Sequence, residues 1–446
     1  MDRSEPREDA VLLRPMQRTT RRFGIFAGIM LLVWLWGMFA WFTQLRRGLS
    51  VTGLNVPVYW GLYITNFVFF IGISHAGTLI SAILRLAQAE WRRSITRAAE
   101  VITVLVLFFG MGCIVLDLGR PDRVLNVLRH GNFTSPLLWD VASVTTYLCA
   151  STLYLYLPLI PDIAILRDQM PSRRWFYRLL ALGWTGTPKQ KHRLSTAIAT
   201  MAVLVIPIAV SVHTVVSWVF AMTVQPMWHS TIFGPYFVVG AIFSGIAAII
   251  MAMAIIRKAY HLEDYLRPVH FNNLGILLLV MTLLWFYFTF AEFLTTYYGA
   301  EPTHMTVFLS KTEGKFSPLF WTMAVTCFVI PFTLLANPRT RRTVRGTVVA
   351  SISVEIGMWL ERFLIVVPSL SNPRLPLKAA TYFPSWAEWS LFAAFVAMFV
   401  LLYAVFTKFF PIVSIWEIRE GREHSIGEVV ARMKGYLPGM EGSAHE

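Results

Sequence analysis

Cysteine is scarce in this chain: three residues among 446, Cys113, Cys149 and Cys327, each alone within an apolar run. With no CxxC, CxxCH or cysteine cluster, neither an iron–sulfur cluster nor a c-type haem finds ligands here. The isolated cysteines read as small apolar packing residues. Charge is scarce too. Asp, Glu, Lys and Arg make up 14% of the chain, where soluble domains average about 25%. No P-loop occurs, and no GxGxxG opens a helix, so a nucleotide-binding fingerprint is missing. Long polar stretches are absent as well. The largest follow the fourth and tenth apolar runs and are too small for a redox domain. The N-terminus lacks a small-residue cleavage site and its first apolar run is long enough to span, so no signal peptide is expected.

Apolar residues are what the chain has in plenty: 56% of it is hydrophobic, with a mean hydropathy of +0.57. Ten runs stand out, at 24–44, 58–87, 98–118, 136–160, 195–222, 231–257, 270–298, 318–336, 346–367 and 385–410. A bilayer core takes roughly 20 apolar residues per helix, so the expected fold class is an all-α polytopic membrane protein with about ten transmembrane helices. The net charge of +14 then sets topology and calls for no nucleic acid. Basic residues gather before run one (Arg14, Arg21, Arg22), after run four (Arg167, Arg173, Arg174) and after run eight (Arg339, Arg341, Arg342). If ten helices alternate, these segments share a side, and the positive-inside rule places both termini in the cytoplasm. The loop from Arg120 to Arg129 is a mild exception.

An internal echo suggests how the helices are grouped. Ser135-Pro136-Leu137-Leu138-Trp139 opens run four, and Ser317-Pro318-Leu319-Phe320-Trp321 opens run eight. Ser is expected to cap the helix, Pro to suit its first turn and Trp to anchor at the interface. Phe69, Gly72 and Gly77 in run two match Phe237, Gly240 and Gly245 in run six. The expected organisation is two parallel four-helix bundles, 55–222 and 231–367. A cytoplasmic tail (1–23), flanking helices (24–44 and 385–410) and a second tail (411–446) complete it.

Ionisable groups inside lipid are expensive and mark function. Counting 1.5 Å per residue, Asp117, Arg120, Asp140, His213, Glu292, Glu361 and Arg362 fall in the outer third. His75 and Glu355 lie deeper. Two readings stand for each. Asp117 with Arg120 is an ion pair at a helix end or part of a site. Asp140 complements a helix dipole or acts as a base, and His213 packs or handles protons. Glu361 and Arg362 are adjacent, so they are expected to face different ways. His75, His213, Glu292 and Glu355 are proton-path candidates. A b-type haem needs facing axial histidines; the expected depths of His75 and His213 differ by roughly 12 Å, which argues against it. No metal site is expected.

This pattern suits quinol chemistry, which needs an apolar slot and a His or carboxylate to take a hydroxyl proton. Asp140, Asp117 and His213 are the candidate bases, with Arg362 positioning them. The chain has no electron carrier of its own, so electrons would leave to a partner at the outer face, where Trp60, Trp139, Trp228 and Trp321 are expected to cluster.

The stretch Gly72-Ile73-Ser74-His75-Ala76-Gly77-Thr78-Leu79-Ile80-Ser81-Ala82 resembles the NrfD/PsrC family of quinone-interacting membrane subunits. So do Ser135-Pro136-Leu137-Leu138-Trp139-Asp140, Pro226-Met227-Trp228-His229-Ser230-Thr231-Ile232-Phe233, Leu262-Glu263-Asp264-Tyr265 and Gly357-Met358-Trp359-Leu360-Glu361-Arg362-Phe363. The likeness covers about residues 55–370 and, within the family, is greatest to ActC of alternative complex III. It implies a menaquinol site near the periplasmic face of a bacterial inner membrane, lined by Asp140, Arg362 and the stretch ahead of Gly119-Arg120. His75, Arg120 and Trp139 join that set. It implies as partners a periplasmic iron–sulfur subunit, a second NrfD-like membrane subunit and cytochrome c-bearing subunits, with protons translocated along buried residues. Asp117 stands where ActC-like members usually carry His, and Leu116-Asp117-Leu118-Gly119-Arg120-Pro121 is similar to the PsrC branch. Both directions of electron flow stay open, including service to a polysulfide-reductase or molybdenum enzyme. A secondary transporter is the rival reading.

Overall fold

Hydrocarbon offers the backbone no hydrogen-bond partners, so a chain of apolar runs satisfies its N–H and C=O groups by becoming helical. The computed structural model describes residues 5–17 and 19–421, and no strand occurs among them. Ten long helices follow the ten runs: α1 (Arg21–Arg47), α2 (Leu62–Leu86), α3 (Thr96–Asp117), α4 (Pro136–Gln169), α5 (Pro188–Ala221), α6 (Phe233–Tyr260), α7 (Pro268–Gly299), α8 (Ser317–Ala336), α9 (Val344–Ser371) and α10 (Trp386–Phe409). Among the described residues, nine of them are long and apolar enough to cross a membrane. The tenth, α9, has 28 residues, but Arg345, Glu355, Glu361 and Arg362 dilute its apolar content. Glu355, Glu361 and Arg362 are buried, so they meet other helices and not lipid. The chain is a multi-pass integral membrane protein.

Similar hydropathy hides very different positions. The most apolar stretch of α2 is 88% buried, that of α1 only 11%. Helix α2 lies at the centre, against α3, α6 and α9; α1 and α10 pack on each other at the edge, and α10 also touches α3. Gln44 ties the edge to the centre: its amide donates to the Leu116 carbonyl and accepts from the Tyr63 hydroxyl at 2.6 Å.

Two helices widen locally into π segments, Ala76–Ile80 in α2 and Val325–Val329 in α8. A side chain causes the first. The Thr103 hydroxyl donates to the Ser74 carbonyl at 2.7 Å and accepts from the Thr78 N–H at 3.1 Å. It thus replaces a regular rung of the α2 ladder, a recognised way to distort a helix. Gly77 permits this approach, since a Cβ there would lie 1.9 Å from the Ala99 carbonyl oxygen. In α8 the π segment ends two residues before Pro331, which has no N–H to donate.

The repeated helix starts work differently from expectation. Ser135 occupies the N-cap position without a side-chain capping bond, and Ser317 lies inside its helix with its hydroxyl donating to Thr312. What recurs is the tryptophan: Trp139 donates to the Phe133 carbonyl and Trp321 to that of Thr312. Each indole ties its helix to the segment that precedes it. Trp60 stacks on Trp228 at 6.2 Å, whereas Trp139 and Trp321 bond to the segments just before their own helices, so the four do not form one cluster.

The expected tails are partly structured. Residues Glu5–Gln17 form a helix that buries Leu12, Leu13 and Met16. After α10, Ile412, Val413 and Ile415 are buried and the chain folds back beneath α3 and α4; residues 422–446 of the second tail lie outside the described part. Asp162 takes an ion pair from Arg97 and backbone N–H bonds from Ile415 and Trp416. Glu417 pairs with Arg85 and Arg92.

Candidate functional site

At the centre of the bundle the π segment sets the direction of His75. Its Nε2 lies 2.5 Å from the Ala209 carbonyl. A carbonyl only accepts, so Nε2 donates to it, and Nδ1 is left buried without a well-formed hydrogen bond. The His75 and His213 ring centroids are 3.6 Å apart. That overturns the expected separation in depth. Helix α2 starts at Leu62, not at 58, and helices of unequal height cannot be compared by counting from their ends. Rings in direct contact leave no space for a porphyrin plane between them, so geometry, and not depth, speaks against axial ligation by this pair.

Arg362 completes the cluster. It is 1% exposed and within electrostatic reach of His213. Its guanidinium carbon lies 5.2 Å over the Phe237 ring, and a Cβ on Gly240 would approach Nη2 to 2.6 Å. Gly72 faces the same guanidinium, at 3.9 Å for an added Cβ. The two glycines that echo each other in the sequence therefore form the two walls of one cradle. Glu361 lies beside the arginine, its Oε2 3.0 Å from Nη1, contrary to the expectation that neighbours in sequence diverge. Successive Cβ atoms are about 100° apart, yet two long side chains have enough torsions to swing together. Trp285 donates to Glu361 Oε1 at 2.8 Å, and the Tyr236 hydroxyl interacts with the same carboxylate.

The remaining candidates make no ion pair with this cluster among the described residues. Asp140 is buried one turn inside α4, makes no ion pair among the described residues and keeps Oδ1 without a hydrogen bond. Asp117 interacts with Tyr63 and Glu388, on the side of the flanking helices. Arg120 is 64% exposed and its ion pair, at 3.8 Å, is with Asp122 and not Asp117; the turn at Gly119, φ +61, carries it away from the helix end. Glu355 has both oxygens buried without a side-chain partner, facing α6 near Ala248. Glu292 accepts from Ser230 at 2.5 Å and lines a cavity of about 270 Å³ with His229 and His304. The charges expected at one level are thus several separate groups around a central His–His–Arg–Glu cluster.

Lys311 and Glu361 are the residues that inspection of the sequence underrated. Lys311 lies in a short helix, Pro302–Thr312, between α7 and α8, where a loop lysine normally meets water. Here it is 7% exposed and within electrostatic reach of both Glu292 and Glu361, with no ion pair to either among the described residues. Burial pushes its amine down to about 8 from 10.5, opposed by the two carboxylates. The folded state therefore binds fewer protons than the unfolded state between these values, and stability rises with pH across that window. Relative to Lys311→Met, the wild type should gain up to about 3 kcal/mol on going from pH 8 to 10.5. Thermal midpoints of both proteins over that range check this; parallel curves refute it.

Several named proteins are similar to this chain over most of its length. The Hdr-like menaquinol oxidoreductase integral membrane subunit of Archaeoglobus fulgidus is 23% identical, covering 84% of this chain and 90% of the relative. The integral membrane subunit of the menaquinone reductase of Nitratidesulfovibrio vulgaris is 24% identical, covering 84% and 88%. A Halobacterium salinarum protein named as a putative dimethyl sulfoxide reductase membrane subunit is 26% identical over 361 residues, 80% of each chain. The family profile described as "Polysulphide reductase, NrfD" matches residues 50–373, from the segment before α2 to the end of α9 with the whole central cluster inside it, and the chain belongs to that family.

Proposed function

We propose that this chain is the quinone-interacting membrane subunit of a multi-subunit oxidoreductase and that it oxidises menaquinol near the outer ends of its helices. The observation that carries this is a set of buried polar atoms without hydrogen bonds: Nδ1 of His75 and His213, both terminal nitrogens of Arg362, and Oδ1 of Asp140. Such groups are costly unless a ligand or proton uses them. Two of the relatives are named for menaquinol or menaquinone. Quinone fits this donor set: guanidinium N–H groups suit its oxygens, and an imidazole lone pair or a carboxylate accepts the hydroxyl proton.

In this reading each quinol yields two protons and two electrons. Arg362 holds the headgroup oxygen and His213 takes one proton; Asp140, on the same face of α4 as Tyr147 and two turns nearer its outer end, takes the other. The electrons pass to an iron–sulfur cluster on a partner at the outer face. Protons leave through Glu361, Lys311 and Glu292 towards the cavity beside His229 and His304. A polar file also runs the other way. Tyr147, packed on His75 at 5.3 Å, is followed by Thr78–Ser151 at 3.3 Å and Ser81–Tyr154 at 3.4 Å, and Ser81 donates to Glu100 at 2.6 Å. This supports proton translocation with the termini on the cytoplasmic side. Two four-helix repeats, an alternative complex III-like assembly and its cytochrome-bearing partners rest on motif likeness. The partner's potential sets the direction, since relatives carry both oxidoreductase and reductase names.

Asp140→Asn tests the reading in the intact purified complex. Losing a general base costs about 10²-fold or more, so menaquinol turnover should fall at least that far while the complex assembles as before. Wild-type turnover in this variant removes Asp140 from the mechanism.

A further inference from the structure

A second cavity, of about 1090 Å³, opens at the end of the bundle that carries both termini, between the helix Glu5–Gln17, α1, α6 and α10. It has no part in the quinone reading. Its rim is cationic: Arg14, Arg22 and Lys408 line it, and among the described residues no carboxylate does. Arg14 and Arg22 are exposed and make no ion pair among the described residues. Lys408 is held in place, donating to the Pro15 carbonyl at 2.9 Å and lying 4.8 Å over the Phe23 ring. The walls are apolar. Phe26, Ile255, Phe399 and Val400 come from three helices, and Ile255 is 68% exposed to the cavity side and lipid. From Val400 to Lys408 the lining follows two turns of α10, roughly 12 Å.

A cationic rim above a lipid-facing apolar trough matches an amphiphile with an anionic head and a hydrocarbon chain. Basic pockets between transmembrane helices take acidic lipid head groups in this way. A quinol headgroup is neutral and gains little from three cations, whereas a phosphate is matched by them. We propose that this cavity binds an anionic phospholipid, with phosphate between Arg14, Arg22 and Lys408 and an acyl chain along α6 and α10.

The test uses the full-length chain in its purified complex, in mild detergent with added phosphatidylglycerol or phosphatidylcholine, and counts retained lipids by native mass spectrometry. Wild type should retain phosphatidylglycerol in preference. Each basic side chain near an anionic head is worth about five-fold, so Arg14→Ala/Arg22→Ala should weaken retention by roughly twenty- to thirty-fold and leave phosphatidylcholine unaffected. Ile255→Trp, which fills the trough and leaves the charges alone, should release the same lipid. Equal phosphatidylglycerol retention by wild type and the double variant overturns the proposal. So does displacement by inorganic phosphate alone, which would indicate an anion site without a chain, or menaquinone being the molecule that the variants lose.

Discussion

Arg362→Gln should abolish most menaquinol turnover, by about 10²–10³-fold, the usual cost of removing one preorganised donor from a buried reaction centre. The guanidinium is enclosed by Gly72, Gly240 and Phe237, and neither terminal nitrogen has a well-formed hydrogen bond within the protein. The single variant also leaves Glu361 buried without its cation, and breaking a buried pair costs about 3–5 kcal/mol. A fall in activity alone would therefore be ambiguous. The double variant Glu361→Gln/Arg362→Gln removes both charges and should recover the thermal midpoint while turnover stays low. Turnover near wild type in the folded double variant would dismiss Arg362 as a quinone ligand. Lost turnover with a normal midpoint supports that role.

The second large effect is structural. Asp162→Ala should destabilise the protein by about 3–5 kcal/mol, because Arg97 would keep a buried charge with no carboxylate opposite. Asp162 is wholly buried and gathers more than the arginine. It accepts the backbone N–H groups of Ile415 and Trp416, and Arg97 itself donates to the carbonyls of Pro158 and Pro411 and to the Ser414 hydroxyl. The expected result is a lower thermal midpoint together with trypsin cleavage at Arg419, as the segment after α10 comes loose. Asp162→Asn should act in the same direction and more weakly, since an amide oxygen still accepts but bears no charge. An unchanged midpoint with an unchanged digestion pattern would show that the segment is held by its apolar residues, Ile412, Val413 and Ile415.

Asp162, Arg97 and Glu100 illustrate what inspection of the chain passes over. They stand near the ends of apolar runs, where charged residues ordinarily reach water, and nothing in the local pattern shows that a returning C-terminal segment covers them. Lys311 was hidden for the same reason. Glu361 and Arg362 were visible as intruders in an apolar run, but not as a pair. Gly72 and Gly240 were legible as an echo between two halves. That they face each other across one guanidinium was not, because matched positions in a repeat say nothing about contact between the copies.

The chain alone determined its solvent, the positions of ten helices, and the motifs that mark its family, because apolar length and local start signals are properties of consecutive residues. The tertiary structure decided which helix lies at the centre, which histidines touch, and how the outer charges divide into separate groups. Those depend on each helix's rotation, height and local winding, and here on one threonine hydroxyl inserted into the backbone of α2. Hydropathy along a sequence carries none of these.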